Sequence, residues 1–176
     1  MDGARSRVPL PSVLVAGIGN VFLGDDGFGV AVVQRLAGRT FRPGVTIKDF
    51  GIRGFDLAFD LVDGADVTIL VDATARGGAP GTLYTIEPEL PQPGDGDASQ
   101  SLATHGMDPV SVLKMAQTLG GRLGRIFLVG CEPETLGPEN EGHMGLSAPV
   151  EAAVDEAVRI IEELVGSTEV PWSATN

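Results

Sequence analysis

The chain has one cysteine, Cys131, in 176 residues. That excludes an internal disulfide framework and any cysteine-rich zinc or iron–sulfur site. Basic residues are scarce as well, with 12 Lys and Arg against 24 Asp and Glu, a formal charge of -12. Such a balance argues against general affinity for nucleic acid or an anionic membrane, and its plain meaning is solubility. Apolar runs stop at strand length, well short of a membrane span. Arg5 and Arg7 precede an apolar stretch in the manner of a signal peptide. Pro9 and Pro11 interrupt that stretch, however, and it is needed as the first core strand. The expectation is a cytoplasmic monomer with no nucleic-acid or membrane partner. Familiar machinery is missing too: there is no G-x-S-x-G elbow, no H-E-x-x-H and no G-x-x-x-x-G-K-[ST].

What is present begins with residues 13–29, VLVAGIGNVFLGDDGFG. The first half reads as a buried parallel strand ending in glycines. The second half opens a helix, with acids in its first turn and apolar residues at Phe28, Val32, Val33 and Leu36. A dinucleotide-binding unit also starts with strand, glycine turn and helix, but its fingerprint is G-x-G-x-x-G. Here Gly17 and Gly19 are followed by Phe22 at the third glycine's place, and Gly24 comes two residues late. Asp25 and Asp26 occupy the spot where a pyrophosphate would dock, and two carboxylates there repel phosphate. The turn suits a metal or a proton.

Strand and helix patterns then alternate. Strands are expected at Ser12–Gly19, Val45–Phe50, Val67–Asp72, Thr82–Glu87 and Arg125–Gly130. Helices are expected at Asp26–Gly38, Phe55–Val62, Pro109–Leu119 and Pro149–Val165, the last stopped by Gly166. Asp108 followed by Pro109 makes a good start for the third. The alternation predicts a three-layer α/β fold, a twisted, mostly parallel sheet of about five strands with helices on both faces. The fourth strand follows the third after a turn too short for a crossover helix, so it runs antiparallel to its neighbour. Residues 12–166 form one domain between ragged ends, 1–11 and 167–176, with Trp172 able to dock the second. Glu89–Thr104 is a long polar loop of a length that is usually functional or disordered, and its lead into His105 favours the functional reading.

Ligands in an open α/β sheet gather beyond the carboxyl ends of the strands. Strand one hands over to Asp25 and Asp26, strand two ends near Asp49, and strand three ends on Asp72. Taken singly, Asp25 or Asp26 reads as a helix cap and Asp72 as a turn residue. Taken together, Asp26, Asp72 and His105 are three O or N donors on one edge, enough for an open metal site. His143 precedes the last helix, and its position fits either the same edge or open solvent. Cys131 reads as a small buried hydrophobe, with no His–Asn partnership to make it a nucleophile.

At this point the residues resemble a known family. Gly17-Ile-Gly-Asn20 with Leu23-Gly-Asp-Asp-Gly27 is similar to the opening of the hydrogenase maturation proteases. The likeness continues through Leu70-Val-Asp-Ala73, Gly78-Ala-Pro-Gly-Thr82, His105-Gly-Met-Asp-Pro109 and Leu128-Val-Gly130. It extends to Pro133-Glu-Thr-Leu136 and Met144-Gly-Leu-Ser147, and so covers nearly the whole domain. The resemblance implies an endopeptidase that trims the C-terminal extension of a nickel–iron hydrogenase large-subunit precursor once nickel is in place. It implies that Asp26, Asp72 and His105 contact the metal, and that the nickel comes with the precursor. With no side-chain nucleophile in view, water is expected to attack the scissile carbonyl. Either nickel polarises the carbonyl or acidifies the water, or Asp26 or Asp72 acts as general base. Asp49 is a further candidate for the base or for orienting substrate. A nickel-recognising chaperone that does not cut is the alternative reading. Two departures stand out. The acid after the turn, often Glu in the family, is Asp26, and the loop after strand two is Asp49-Phe-Gly-Ile-Arg-Gly54 where relatives have D-G-G-T-x-G. Arg53 in that loop is expected to bear on which precursor is served.

Overall fold

Alternation along the first strand decides how the layers stack. In β1, Val13–Ile18, every residue is buried, because both faces of the strand are covered. Val13 and Val15 belong to the core under one pair of helices, whereas Leu14, Ala16 and Ile18 belong to the core under the other. The computed structural model describes residues 9–90, 109–137 and 142–168. After β1, a 3₁₀ turn, Gly24–Gly27, leads into helix α1, Phe28–Leu36. There follow β2 (Val45–Gly51), α2 (Gly54–Asp63), β3 (Val67–Ala73) and β4 (Leu83–Ile86). Helix α3 (Pro109–Thr118), β5 (Arg125–Cys131) and α4 (Ala148–Ser167) complete the order.

The strands form one sheet in the order β2-β1-β3-β5-β4. All pairings are parallel except β4 with β5. The expected antiparallel strand is thus present, and its neighbour is β5, with Leu83 opposite Cys131. Helices α1 and α4 cover one face around Phe28, Val154 and Ile161, and α2 and α3 cover the other around Leu57, Leu61 and Leu113. The sheet is therefore the expected α/β sandwich. Since β1 connects outward to β2 on one side while β3 lies on its other side, strand order reverses between β1 and β3. A crevice opens at the carboxyl ends of strands where this happens.

Most element ends fall within a residue or two of expectation, and two of the differences have a visible cause. Helix α1 begins at Phe28, the acids before it lying in the 3₁₀ turn. Helix α4 runs past Gly166 to Ser167, since the Ser167 and Thr168 hydroxyls donate to the Leu164 and Val165 carbonyls and finish the last turn. A bulge in β2 pairs Gly17 with Asp49 but Ile18 with Gly51. The extra residue, Phe50, turns into the α2–α3 core and leaves Asp49 outside. Among the described residues no helix is long and apolar enough to cross a membrane. The greater part of the polar loop, with His105, Asp108 and Trp172, lies outside the described residues.

Candidate active site at the carboxyl edge of β1 and β3

Glycines bring the first turn down onto the sheet. Gly19 has φ 128°, and a Cβ there would lie 1.8 Å from the Asp26 carbonyl oxygen. A Cβ on Gly29 would lie 2.1 Å from the Val71 carbonyl oxygen and 2.3 Å from that of Ile18. The helix start therefore sits directly over the ends of β1 and β3, a closeness that only glycine permits. The glycines serve helix–strand contact, and the turn they shape presents carboxylates in place of a phosphate cradle.

The two carboxylates of that turn point into different surroundings. Asp25 is fully buried. One of its oxygens accepts from Ser147 N at 2.7 Å, and the other accepts from Glu134 N at 2.8 Å, Thr135 N at 3.0 Å and Ser147 Oγ at 2.9 Å. Burial alone would raise this carboxyl, but the bonds from Ser147, Thr135 and Glu134 outweigh it and hold the group below its ordinary value. Asp26 is half-buried and accepts one bond from a described residue, Asn20 N at 2.7 Å. Burial pushes it above the ordinary carboxylate value against the opposing pull of Asn20. Neither side chain caps the 3₁₀ turn or α1, which corrects the expectation that one would. Asp25 is drawn inward by loop amides, and Asp26 reaches back to a residue before the turn.

Asp72 lies one residue before the end of β3, which runs on to Ala73 where the sequence suggested a stop at Asp72; it is buried and in register with Gly130. The turn carrying Asp26 packs against β3, so the two acids share the edge where strand order reverses. Asp49 lies across β1 from them, in register with Gly17, two strand spacings or roughly 10 Å from β3. It lines a cavity of about 300 Å³ with Lys48, Phe50, Arg53, Asp56, Phe59 and Asp60. Arg53 bonds back to its own loop at the Asp49 and Phe50 carbonyls and lies 3.6 Å from Asp56. His143 is exposed, and its backbone pairs with Phe22 and Gly24, which puts it on the rim of the same turn. Cys131 is buried, and desolvation with the nearby Asp25 and Glu132 carboxylates pushes its thiol up to about 11, which disfavours the thiolate a nucleophile needs. Among the described residues no group of three or more His, Cys, Asp and Glu side chains gathers as a metal cage. Asp26 and Asp72 are hard oxygen donors suited to completing a coordination sphere begun elsewhere.

A family model described as hydrogenase maturation protease matches residues 30–164. The chain belongs to the hydrogenase maturation protease family. It is 36% identical to the hydrogenase expression/formation protein HoxM of Cupriavidus necator over 92% of this chain and 79% of that one. It is 32% identical to the hydrogenase 2 maturation protease of Escherichia coli over 83% of this chain and 85% of the relative. Among solved structures, the hydrogenase maturating endopeptidase HybD from E. coli superposes with a TM-score of 0.70 at 29% identity, covering 89% of this chain and 93% of that one. The chain is accordingly a hydrogenase maturation endopeptidase.

One residue of this maturation protease escaped the sequence reading. Glu132 follows β5 and is buried, accepting from Arg76 N at 2.8 Å, Gly77 N at 3.1 Å and Tyr84 Oη at 2.8 Å. Burial would raise its carboxyl, but the bonds from Arg76, Tyr84, Gly78 and Gly77 hold it below the ordinary value. Its signal was the one that marked Asp72, an acid closing an apolar strand at the carboxyl edge.

Proposed function

We propose that this protease removes the C-terminal extension of a nickel–iron hydrogenase large-subunit precursor after nickel insertion, and that it does so in the cytoplasm. The observation that carries the reading is the unequal pair at the first turn. Asp25 spends its carboxylate on the fold, while Asp26 offers its carboxylate at the edge that Asp72 also borders. Asp26, Asp72 and His105 read the nickel that the precursor already holds. Water attacks the scissile carbonyl, and a carboxylate at this edge takes its proton. Asp26, whose burial raises its proton affinity, is suited to that step. Asp49 lies on the β2 flank, where it orients the peptide.

Two oxygens and an imidazole compete poorly with the thiolates that hold nickel in a hydrogenase precursor. The isolated protease is therefore expected to bind nickel weakly and to prefer loaded over empty precursor. The test is incubation with nickel-loaded and nickel-free large-subunit precursor, followed by intact-mass measurement. A tail released only from the loaded form supports the reading. Equal cutting of both forms, or tight stoichiometric nickel binding by the protease alone, contradicts it.

A further inference from the structure

The segment Glu132–Thr135 leaves β5 and holds two turns at once. Toward β4, the Glu132 carboxylate gathers Arg76 N, Gly77 N and Tyr84 Oη, while its backbone exchanges bonds with Gly81 and Thr82. The turn so gathered begins directly after Asp72 and Ala73, and Thr74 N donates to the Cys131 carbonyl at its start. Toward β1, the Glu134 and Thr135 amides donate to Asp25, and the Thr135 carbonyl accepts from Asp25 N. Strand β5 is not a neighbour of β1, since β3 lies between them. Four residues just past the end of β5 therefore tie the turn after β1 that carries Asp26 to the turn after β3 that follows Asp72.

We infer that Glu132 is a positioning residue for peptide cleavage, and that Glu132–Thr135 acts as a clamp fixing Asp26 and Asp72 relative to each other. A buried carboxylate that accepts several N–H and O–H bonds is a stiff node, because each donor loses a charged acceptor if it moves. Pro133 stiffens the segment further by fixing its own φ. Small displacements of catalytic groups are costly to rate even when substrate binding survives. The inference rests on the reading that Asp26 and Asp72 act on the substrate, but the clamp itself has a signature that needs no substrate.

The experiment compares wild type, Glu132→Gln and Tyr84→Phe by amide hydrogen exchange and by cleavage kinetics on nickel-loaded precursor. Gln keeps the size of Glu but turns an NH₂ toward donors, and Phe removes one donor and keeps the ring. In Glu132→Gln, exchange is expected to quicken at Arg76 and Gly77, and also at Glu134 and Thr135, with β1 amides unchanged. The kinetic expectation is kcat down 10-fold or more with KM within threefold, and a smaller fall of kcat in Tyr84→Phe. Faster exchange confined to Arg76 and Gly77 would overturn the clamp, as would wild-type kcat or a change in KM alone. If Glu132→Gln does not fold, Tyr84→Phe decides: lowered kcat at unchanged KM supports the inference, and unchanged kcat overturns it. If wild type cuts no precursor, the function reading fails, and exchange at Glu134 and Thr135 still tests the clamp.

Discussion

The inner and outer sides of the first turn divide the work between adjacent acids. On the inner side, Asp25 is fully buried and surrounded by four donor bonds from the loop after β5 and the start of α4. On the outer side, Asp26 has Asn20 alone as donor among the described residues, and burial raises its carboxyl where the bonds around Asp25 lower that one. The same side chain, one residue apart, is a structural brace in one place and, on the function proposed above, a reactive group in the other. The difference lies in how many N–H groups the surrounding loops can aim at each carboxylate, a quantity invisible in the dipeptide itself.

The largest effect is expected on the outer side. Asp72→Ala removes a strand-end acid that contributes little apolar packing, and loss of a proton-transfer or binding group at a reaction centre costs about 10²–10⁴-fold in rate. Tail release should vanish from a gel assay while the thermal transition stays near wild type. Wild-type cleavage would remove Asp72 from the site, and failure to fold would assign it to the turn alone.

The inner side is expected to fail in the opposite manner. Asp25→Asn presents an NH₂ to amide and hydroxyl donors inside the protein and should cost about 2–3 kcal/mol of stability. That corresponds to roughly 5–10 °C in Tm for a chain of this size. Acid sharpens the contrast. Because the folded-state pKa of Asp25 is lowered, its stabilisation is fully present above the ordinary carboxylate value and drains away as pH falls through the folded value. Asp26 is raised, so its contribution has the opposite sign, present at low pH and lost as pH rises through its folded value. Asp26→Asn should therefore leave neutral-pH stability unchanged or slightly improved. Denaturant melts of both variants from pH 3 to 7 check the two signs, and a matching loss of stability in both would erase the distinction.

The smallest effect belongs to the β2 flank. Arg53 holds its own loop through the Asp49 and Phe50 carbonyls, beside the exposed Ile52 and Phe55. Arg53→Ala is expected to raise KM for the precursor a few-fold with kcat nearly unchanged. Unaltered KM would show that this loop takes no part in recognition.

Much of the fold was legible because burial on both faces leaves a continuous apolar run, as in β1 and β3, while amphipathic spacing marks α4. Asp72 was legible for the same reason, as an acid ending such a run. The partner of β4 was less so, since a tight turn says that a strand reverses without saying beside which strand it lands. The separate fates of Asp25 and Asp26 were hidden because their partners, Glu134, Thr135 and Ser147, come from more than a hundred residues downstream. Glu132 was hidden likewise, its donors arriving from β4 and the turn before it, 48 to 56 residues upstream.

The most direct measurement sets the two neighbours side by side. Nickel-loaded precursor is incubated with Asp25→Asn and Asp26→Asn at a temperature where both are folded, and the precursor mass is followed over time. The account predicts that Asp25→Asn still releases the tail, more slowly than wild type, and that Asp26→Asn releases none. Wild-type release by Asp26→Asn, with Asp25→Asn folded but inactive, would contradict it.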